Sequence, residues 1–378
     1  MAEKYLLSII IPTKNRGFYC LEAIKQILAL GDQEIQICIQ DNSDTNKLER
    51  EISLLDSSNV TYNYHHGTLS FVDNFSEAIS LAEGEYVCML GDDDGVLPNI
   101  LDITRMMKEE GYDAVVQDVA ISYFWPKGND KGNGHLFLKE VQQKKEEIDT
   151  RKALRNLMKM GGQNYLNCGM AKIYHGIVKR SLVETVKEKS GKYFDGLSPD
   201  IYMSVLLSYY SQRALKLYYP CTLPGVCAKS GTADSSSGKH TGELKDAPHF
   251  TGHDSYEWDS KAPYVYSVET IWADTALHAL KNIGDEEYYS QFRVDELDAR
   301  CYYKYKQFRP RLLQHAKIYG YNPLSIKFKS LKFVFSDVME RIHNKMLVIL
   351  GRPNSSTVYN IADIESAVKY VINYINKR

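Results

Sequence analysis

The 378-residue chain is short of several features that would give it away quickly. It has no basic excess: 46 Lys and Arg stand against 48 Asp and Glu, a net charge of −2. A general nucleic-acid binder shows the opposite balance, so nucleic acid is excluded as the expected partner. Its seven cysteines are odd in number and scattered, with no C-x-x-C pair. That pattern argues for reduced thiols and against a disulfide framework. His249 and His253 have i, i+4 spacing, but Pro248 and Gly252 break the helix that a zinc pair would need. No apolar run approaches the ~20 residues of a membrane helix. Met1-Ala2-Glu3-Lys4 runs straight into an apolar strand, without a signal-peptide pattern. The expected location is therefore cytoplasmic, at most peripheral to the inner face of the membrane. No G-x-G-x-x-G follows the first strand, which argues against a dinucleotide-dependent dehydrogenase. No 20–50-residue repeat is visible either.

What is present centres on Leu90-Gly91-Asp92-Asp93-Asp94-Gly95. The apolar run Tyr86–Leu90 before it reads as a buried strand, and Gly95 and Pro98 break the chain before an amphipathic stretch from Asn99. Three carboxylates thus sit at the C-terminal end of a strand, where open parallel α/β sheets bind ligands. Crowded like charges raise one another's pKa, and a divalent cation relieves the repulsion. Oxygen ligands suit Mg²⁺ or Mn²⁺, commonly held by one or two carboxylates together with substrate phosphates. An acidic turn that merely caps the next helix is the competing explanation.

Two earlier stretches decide between these readings. Leu7–Ile11 is a continuous apolar strand, closed by Pro12-Thr13-Lys14-Asn15-Arg16. Ile35, Ile37 and Ile39 alternate in a second strand, ending at Asp41-Asn42-Ser43-Asp44. With Glu83–Val87 leading into the acidic turn, the series resembles the family 2 glycosyltransferases. Their pattern is a strand ending in Pro-x-x-Asn-Arg, a second ending in Asp-Asp/Asn-x-Ser-x-Asp, and a Leu-Asp-x-Asp-Asp…Pro turn. The resemblance is clear over residues 6–100, looser to about 220, and not visible beyond 280. One departure stands out: Gly91 occupies the place of the first Asp of the turn.

The resemblance implies an α/β chain of GT-A fold, Rossmann-like, with a mostly parallel sheet flanked by helices. It implies an inverting, metal-dependent transferase that takes a nucleotide-diphosphate sugar, of UDP type, to a hydroxyl of a glycan or lipid-linked acceptor. The implied setting is bacterial surface-polysaccharide synthesis. Carried over residue by residue, the donor would meet Pro12, Thr13, Asn15, Arg16, Asp41, Asn74, Asp92, Asp93, His175 and Gly176. Asp92 and Asp94 would hold Mn²⁺ or Mg²⁺, and Asp200 would be the catalytic base. Here too the chain departs from the family, with Pro199 in place of the acid before the base. Asp195, in the same loop, is the competing base. The rival functions are a non-catalytic nucleotide-sugar or glycan binder of the same fold and a nucleotidyltransferase. The latter normally shows a Gly-rich, Arg-containing signature after its first strand, which Pro12–Gly17 lacks.

Beyond these motifs, helices are expected near Tyr19–Leu30, Asn46–Leu55, Phe71–Ala82, Asn99–Glu110 and Asp149–Met160. Ala114–Ser122 reads as one strand. Asn167–Arg180 reads as a strand, a tight glycine turn and a helix. Residues 225–252 are rich in Gly, Ser, Lys and His, and a stretch of that length without periodicity suggests a mobile lid over a diphosphate, with Lys229, Lys239 and His240 as contacts. The catalytic domain is drawn at 1–280 and a C-terminal helical region at 281–378. That region, with expected helices at Leu324–Leu350 and Ile361–Ile375, is assigned to acceptor placement, a homodimer contact or an anionic membrane surface rather than to donor chemistry.

Overall fold

A computed structural model describes residues 4–126, 134–163, 165–228, 241–244, 248–250, 256–349 and 355–377. The chain opens with three parallel strands, β1 (Leu7–Thr13), β2 (Ile35–Asp41) and β3 (Val60–Tyr64), joined through helices α1 (Gly17–Leu28) and α2 (Lys47–Ser53). Helix α3 (Phe71–Ser80) then leads to β4 (Tyr86–Met89), which pairs parallel with β1. Its start is fixed by Ser70, whose hydroxyl accepts the Asp73 N–H at 3.0 Å. The short β5 (Gly95–Val96) and helix α4 (Ile100–Glu110) follow, and Gly111 ends α4 in the left-handed conformation at φ 75°. The segment expected as one strand is two, β6 (Ala114–Gln117) and β7 (Ile121–Phe124), because the chain leaves the main sheet between them.

Next come β8 (Gly134–Lys139), β9 (Lys145–Ile148), α5 (Thr150–Lys159), β10 (Gly176–Lys179), α6 (Arg180–Ser190), α7 (Pro199–Tyr210) and β11 (Ala214–Leu217). Here the sequence reading inverts: Tyr165–Asn167 is a single 3-10 turn, and the strand follows the bend at Gly176 instead of preceding it. A Cβ at Gly176 would lie 2.1 Å from the Lys172 carbonyl oxygen, so only glycine lets this bend close so tightly. The main sheet runs β3-β2-β1-β4-β10-β6-β11-β9, with β10 and β9 antiparallel to their neighbours and the remaining pairs parallel. It is a mixed α/β architecture with helices on both faces.

Strand periodicity sorts the core into layers. On β1, Ile9 and Ile11 pack with α1, α2 and α4, while Ile10 faces the opposite layer with α3, α5, α6 and α7. All seven residues of β1 and of β2 are buried, as a sheet covered on both sides requires. Each such aliphatic side chain contributes about 1.5–3 kcal/mol by burial.

The chain then folds β12 (Thr222–Leu223) against β5 and β13 (Gly225–Val226) beside β7. The two-residue strands β14 (Thr241–Gly242) and β15 (Tyr266–Ser267) pair with each other. A capping box formed by Ser267 and Thr270 starts α8 (Val268–Asn282). The helical region continues through α9 (Glu286–Ser290), α10 (Val294–Lys304), α11 (Arg309–Ile318) and α12 (Pro323–Ile349). The chain does not end there. β16 (Ser355–Ile361), absent from the sequence reading, pairs antiparallel with β8, and α13 (Ile364–Asn376) closes a third apolar cluster with Leu97, Tyr123, Trp125 and Leu223. Residues 355–376 therefore pack directly behind the acidic turn: a Cβ at Gly95 would lie 2.9 Å from Ile364.

Candidate active site

The C-terminal ends of β1, β2 and β4 bring the expected residues together. Thr13 donates its hydroxyl to Asp92 Oδ2 at 2.6 Å. Arg16, at the start of α1, donates from Nε to the same oxygen at 3.0 Å, and its Nη2 lies 2.6 Å from Asp92 Oδ1. The third guanidinium nitrogen, Nη1, lies 3.6 Å from Asp93 Oδ1. The loop after the first strand is thus tied to the acidic turn across 76 residues of sequence.

All three carboxylates are at most 3% exposed. Asp93 Oδ2 accepts the Cys227 N–H at 2.9 Å, and the Asp93 carbonyl accepts the Trp125 indole N–H at 2.9 Å. Asp94 takes backbone N–H groups on both oxygens, from Gly91 at 2.6 Å and from Gly225 at 2.7 Å. His175 Nε2 and the Tyr174 hydroxyl also face Asp94 Oδ2, at 3.2 and 3.3 Å. The other imidazole nitrogen of His175 is 2.9 Å from the Thr222 hydroxyl, and the residue sits in the left-handed region at φ 55°. Burial pushes the Asp92 carboxyl up to about 7 against the pull of Arg16. Burial and the neighbouring Asp94 also raise Asp93.

Gly91 has a steric reason. A Cβ there would lie 2.7 Å from the Tyr174 hydroxyl and 3.0 Å from Asp94 Oδ2. The space that the family's first Asp would need is filled by Tyr174.

The β2 end forms a second cluster. Asp41 accepts the Ser43 N–H at 2.8 Å and the Tyr62 hydroxyl at 2.9 Å. Asn15, left-handed at φ 57°, links the two loops, receiving the Asp44 N–H at 3.0 Å and donating its own N–H to Ser43 at 2.7 Å. Asn74, on α3, reaches the Thr13 carbonyl at 3.4 Å, and its buried Oδ1 has no hydrogen-bond partner among the described residues. Pro12 lies inside β1, and Gly176 opens β10.

Asp200 lies in the first turn of α7, which Pro199 opens at a position that needs no N–H donor. It accepts hydroxyl hydrogen bonds from Tyr165 and from Ser198. Tyr165 is buried and packs edge-on against Trp272 at 4.8 Å. Asp200 is thus held by Tyr165, while Tyr174 holds Asp94 in the acidic turn. Asp195 points to a different task, accepting from Asn282 at 2.8 Å and pairing with Lys192 at 3.3 Å. Burial works against its ionisation, yet the Asn282 and Gly196 hydrogen bonds and the Lys192 charge hold its pKa below the ordinary value. Lys229, Lys239 and His240 lie outside the described residues.

Sequence reasoning missed Tyr165, Tyr174, Trp125 and the N–H groups of Gly225 and Cys227. Tyr174 adjoins the flagged His175, but backbone donors carry no residue signature.

Among the described residues no group of three or more His, Cys, Asp or Glu is disposed to hold a metal ion. The fit of a divalent cation therefore rests on oxygens left for it. Asp94 accepts a backbone N–H on each oxygen, so a cation there would share its remaining lone pairs with those hydrogen bonds. Asp92 Oδ1 has no aligned hydrogen bond despite the nearby guanidinium, and Asp93 Oδ1 has only Arg16 at 3.6 Å. These two oxygens suit an ion whose remaining ligands come from a diphosphate, in exchange for Arg16.

The chain is similar to several known proteins. The sequence profile of Glycosyl transferase family 2 matches residues 8–165. A putative colanic acid biosynthesis glycosyl transferase, WcaA of Escherichia coli, is 30% identical over 112 residues, 29% of this chain and 40% of that protein. The GalNAc(5)-diNAcBac-PP-undecaprenol beta-1,3-glucosyltransferase of Campylobacter jejuni is 24% identical over 220 residues, 56% of this chain and 64% of that protein. The matched region spans 40% of the length of the E. coli relative and under two thirds of the C. jejuni one. Among solved structures, S. aureus TarS 1-349 in complex with UDP-GlcNAc aligns over 82% of this chain and 79% of its own, at 13% identity and a TM-score of 0.48.

Proposed function

We propose that the chain, whose residues 8–165 match the profile of Glycosyl transferase family 2, moves a sugar from a nucleotide-sugar donor, of UDP type, to an acceptor hydroxyl. The observation that carries the reading is the convergence of Thr13, Arg16, Asp41 and the acidic turn at neighbouring strand ends. Asp41 and its Tyr62 partner would receive the nucleoside, and the unpartnered Oδ1 of Asn74 offers an acceptor to a donor group on the ligand. Arg16, the most exposed member of the cluster at 21%, is placed to turn from Asp92 to a diphosphate. His175 and Gly176 would border the donor sugar.

Asp92 and Asp93 would hold Mn²⁺ or Mg²⁺, with Asp94 shaping the turn. When bound, the ion supplies Lewis-acid stabilisation to the departing diphosphate. Asp200 removes the proton from the acceptor hydroxyl as it attacks the anomeric carbon. Attack opposite the leaving group forms the new C–O bond as the bond to the diphosphate breaks, which inverts the anomeric centre without an enzyme nucleophile. Tyr165 and Ser198 orient the carboxylate. The acceptor class favoured is a glycan or lipid-linked saccharide of a bacterial surface polysaccharide. The clustering of these polar groups around the acidic turn favours transfer over a binding-only role.

The test is Asp200→Asn with a donor panel. General-base assistance is worth ~10²–10⁴-fold, so transfer should fall by about that factor while donor affinity and thermal stability hold. The product anomer, read by NMR, should be inverted. Near-normal transfer by Asp200→Asn, with loss in Asp195→Asn, would move the base to Asp195.

A further inference from the structure

Helix α12 presents an apolar face that nothing in the described chain covers. Leu324, Phe328, Leu331, Phe335, Val338 and Ile342 follow one another at alternating spacings of four and three. At 3.6 residues per turn they fall on one stripe. Phe328 is 77% and Phe335 67% exposed, and the other four lie between 46% and 68%: Leu324 68%, Leu331 56%, Val338 46%, Ile342 46%. Together the six expose roughly 700 Å² of apolar surface, more than the ~300–600 Å² of a typical monomer's largest patch. The opposite face holds the helix to the body: Ile326 is fully buried against Ala299 of α10 and Ala316 of α11, and Ser330 is 6% exposed. The stripe consequently points straight away from the protein.

Charge on the helix is sorted in the same way. Lys327 and Lys345 border one edge of the stripe, with Arg341 just beyond them, and Lys332 borders the other. Lys327, Arg341 and Lys345 have no carboxylate partner among the described residues; Lys332 pairs with Glu296. The two acids of the helix, Asp337 and Glu340, lie on the far side, where Asp337 accepts a hydrogen bond from Tyr303. Two copies joined along this stripe would bring like charges together, because no acid stands at the edges to answer the lysines. A surface that is itself anionic meets both features at once.

We infer that α12 is a docking face for an anionic lipid bilayer, lying in the plane of the headgroups with its phenylalanines inserted. No helix among the described residues is long and apolar enough to cross a membrane, so contact of this kind is peripheral. The inference stands on α12 alone and does not depend on the transfer chemistry.

Vesicle flotation of the full chain tests it. The protein should float with vesicles containing about one third phosphatidylglycerol and stay behind with pure phosphatidylcholine. Raising salt from about 0.1 to about 1 M shortens screening from ~10 to ~3 Å and should weaken binding. Phe328→Ser with Phe335→Ser should lower the bound fraction at least about tenfold. Lys327→Glu with Arg341→Glu should remove the preference for anionic vesicles. Thermal unfolding of both variants should match the parent, since the changed side chains are exposed. Failure of the parent chain to float on anionic vesicles would overturn the inference without any variant. So would equal flotation of the Phe double variant, or lipid-free self-association that the Phe changes abolish in a chain that ignores vesicles.

Discussion

Asp93 and Asp94 are adjacent, equally buried and chemically identical, yet their surroundings give them different work. Asp94 is held on both oxygens by backbone N–H groups of Gly91 and Gly225, whereas Asp93 keeps one oxygen facing only Arg16. Asp93→Asn should therefore remove the stimulation of donor binding by Mn²⁺ while stability changes little. Asp94→Asn replaces one acceptor oxygen by a donor opposite an N–H group, and should cost ~1–3 kcal/mol of stability. Calorimetric donor titration with and without EDTA, beside urea unfolding, separates the two; the reverse assignment would show as metal dependence lost in Asp94→Asn alone. Gly91 gives a second contrast. Gly91→Ala drives a methyl against the Tyr174 hydroxyl, an overpacking cost of ~1–3 kcal/mol. Tyr174→Phe should recover part of it, which a double-mutant cycle in urea would detect as coupling.

Helix α8 carries a buried carboxyl whose effect on stability has a definite sign. Asp274 is fully buried, accepting from the Tyr256 hydroxyl and, at 2.7 Å, from the Asp259 N–H. Burial raises its pKa to about 7, opposed by those hydrogen bonds and Lys281 and aided by Asp259. His278 Nε2 also faces it at 3.6 Å. A carboxyl that holds its proton more tightly when folded adds most stability below its unfolded pKa, and loses it as pH rises from about 4 to about 7. The loss is on the order of 4 kcal/mol if no other group compensates. Asp274→Asn cannot ionise, so its stability relative to the parent should rise between pH 5 and pH 8. Urea midpoints at those two pH values check this, and a relative stability that falls or stays flat would contradict it. At the same scale, β16 and α13 should behave as part of the site. Ending the chain at residue 354 uncovers the back of Gly95–Leu97, and donor affinity should fall at least tenfold with a lower Tm. A shortened chain with full donor affinity would assign 355–376 a separate role.

Across the whole molecule, legibility followed the range of the interaction. β1, β2 and β4 could be read because strands buried on both faces leave continuous apolar runs, and their polar endings fall where parallel sheets bind ligands. The acidic turn announced itself by three adjacent charges. Tyr165 and Tyr174 did not, because two tyrosines among 28 carry no local mark, and their contacts with Asp200 and Asp94 span 35 and 80 residues. The strand β16 escaped for a different reason. Ser355–Tyr359 is exposed or half-buried, so it lacks the apolar alternation by which strands are recognised. The single strand expected at Ala114–Ser122 failed because leaving one sheet for another is a matter of partners, not propensity.

That return of the C-terminal segment also sets an order of events in synthesis. Ile364 and Val368 cover Gly95, yet they are translated about 270 residues later, which at ~5–20 residues per second is a delay of tens of seconds. Through that interval β1, β2 and β4 are already available to pair, while the back of the acidic turn and the apolar side of Leu97 stand open. A nascent chain paused before residue 355 should therefore be a client for chaperones that recognise exposed apolar surface, and should acquire donor binding only after the last strand and helix emerge.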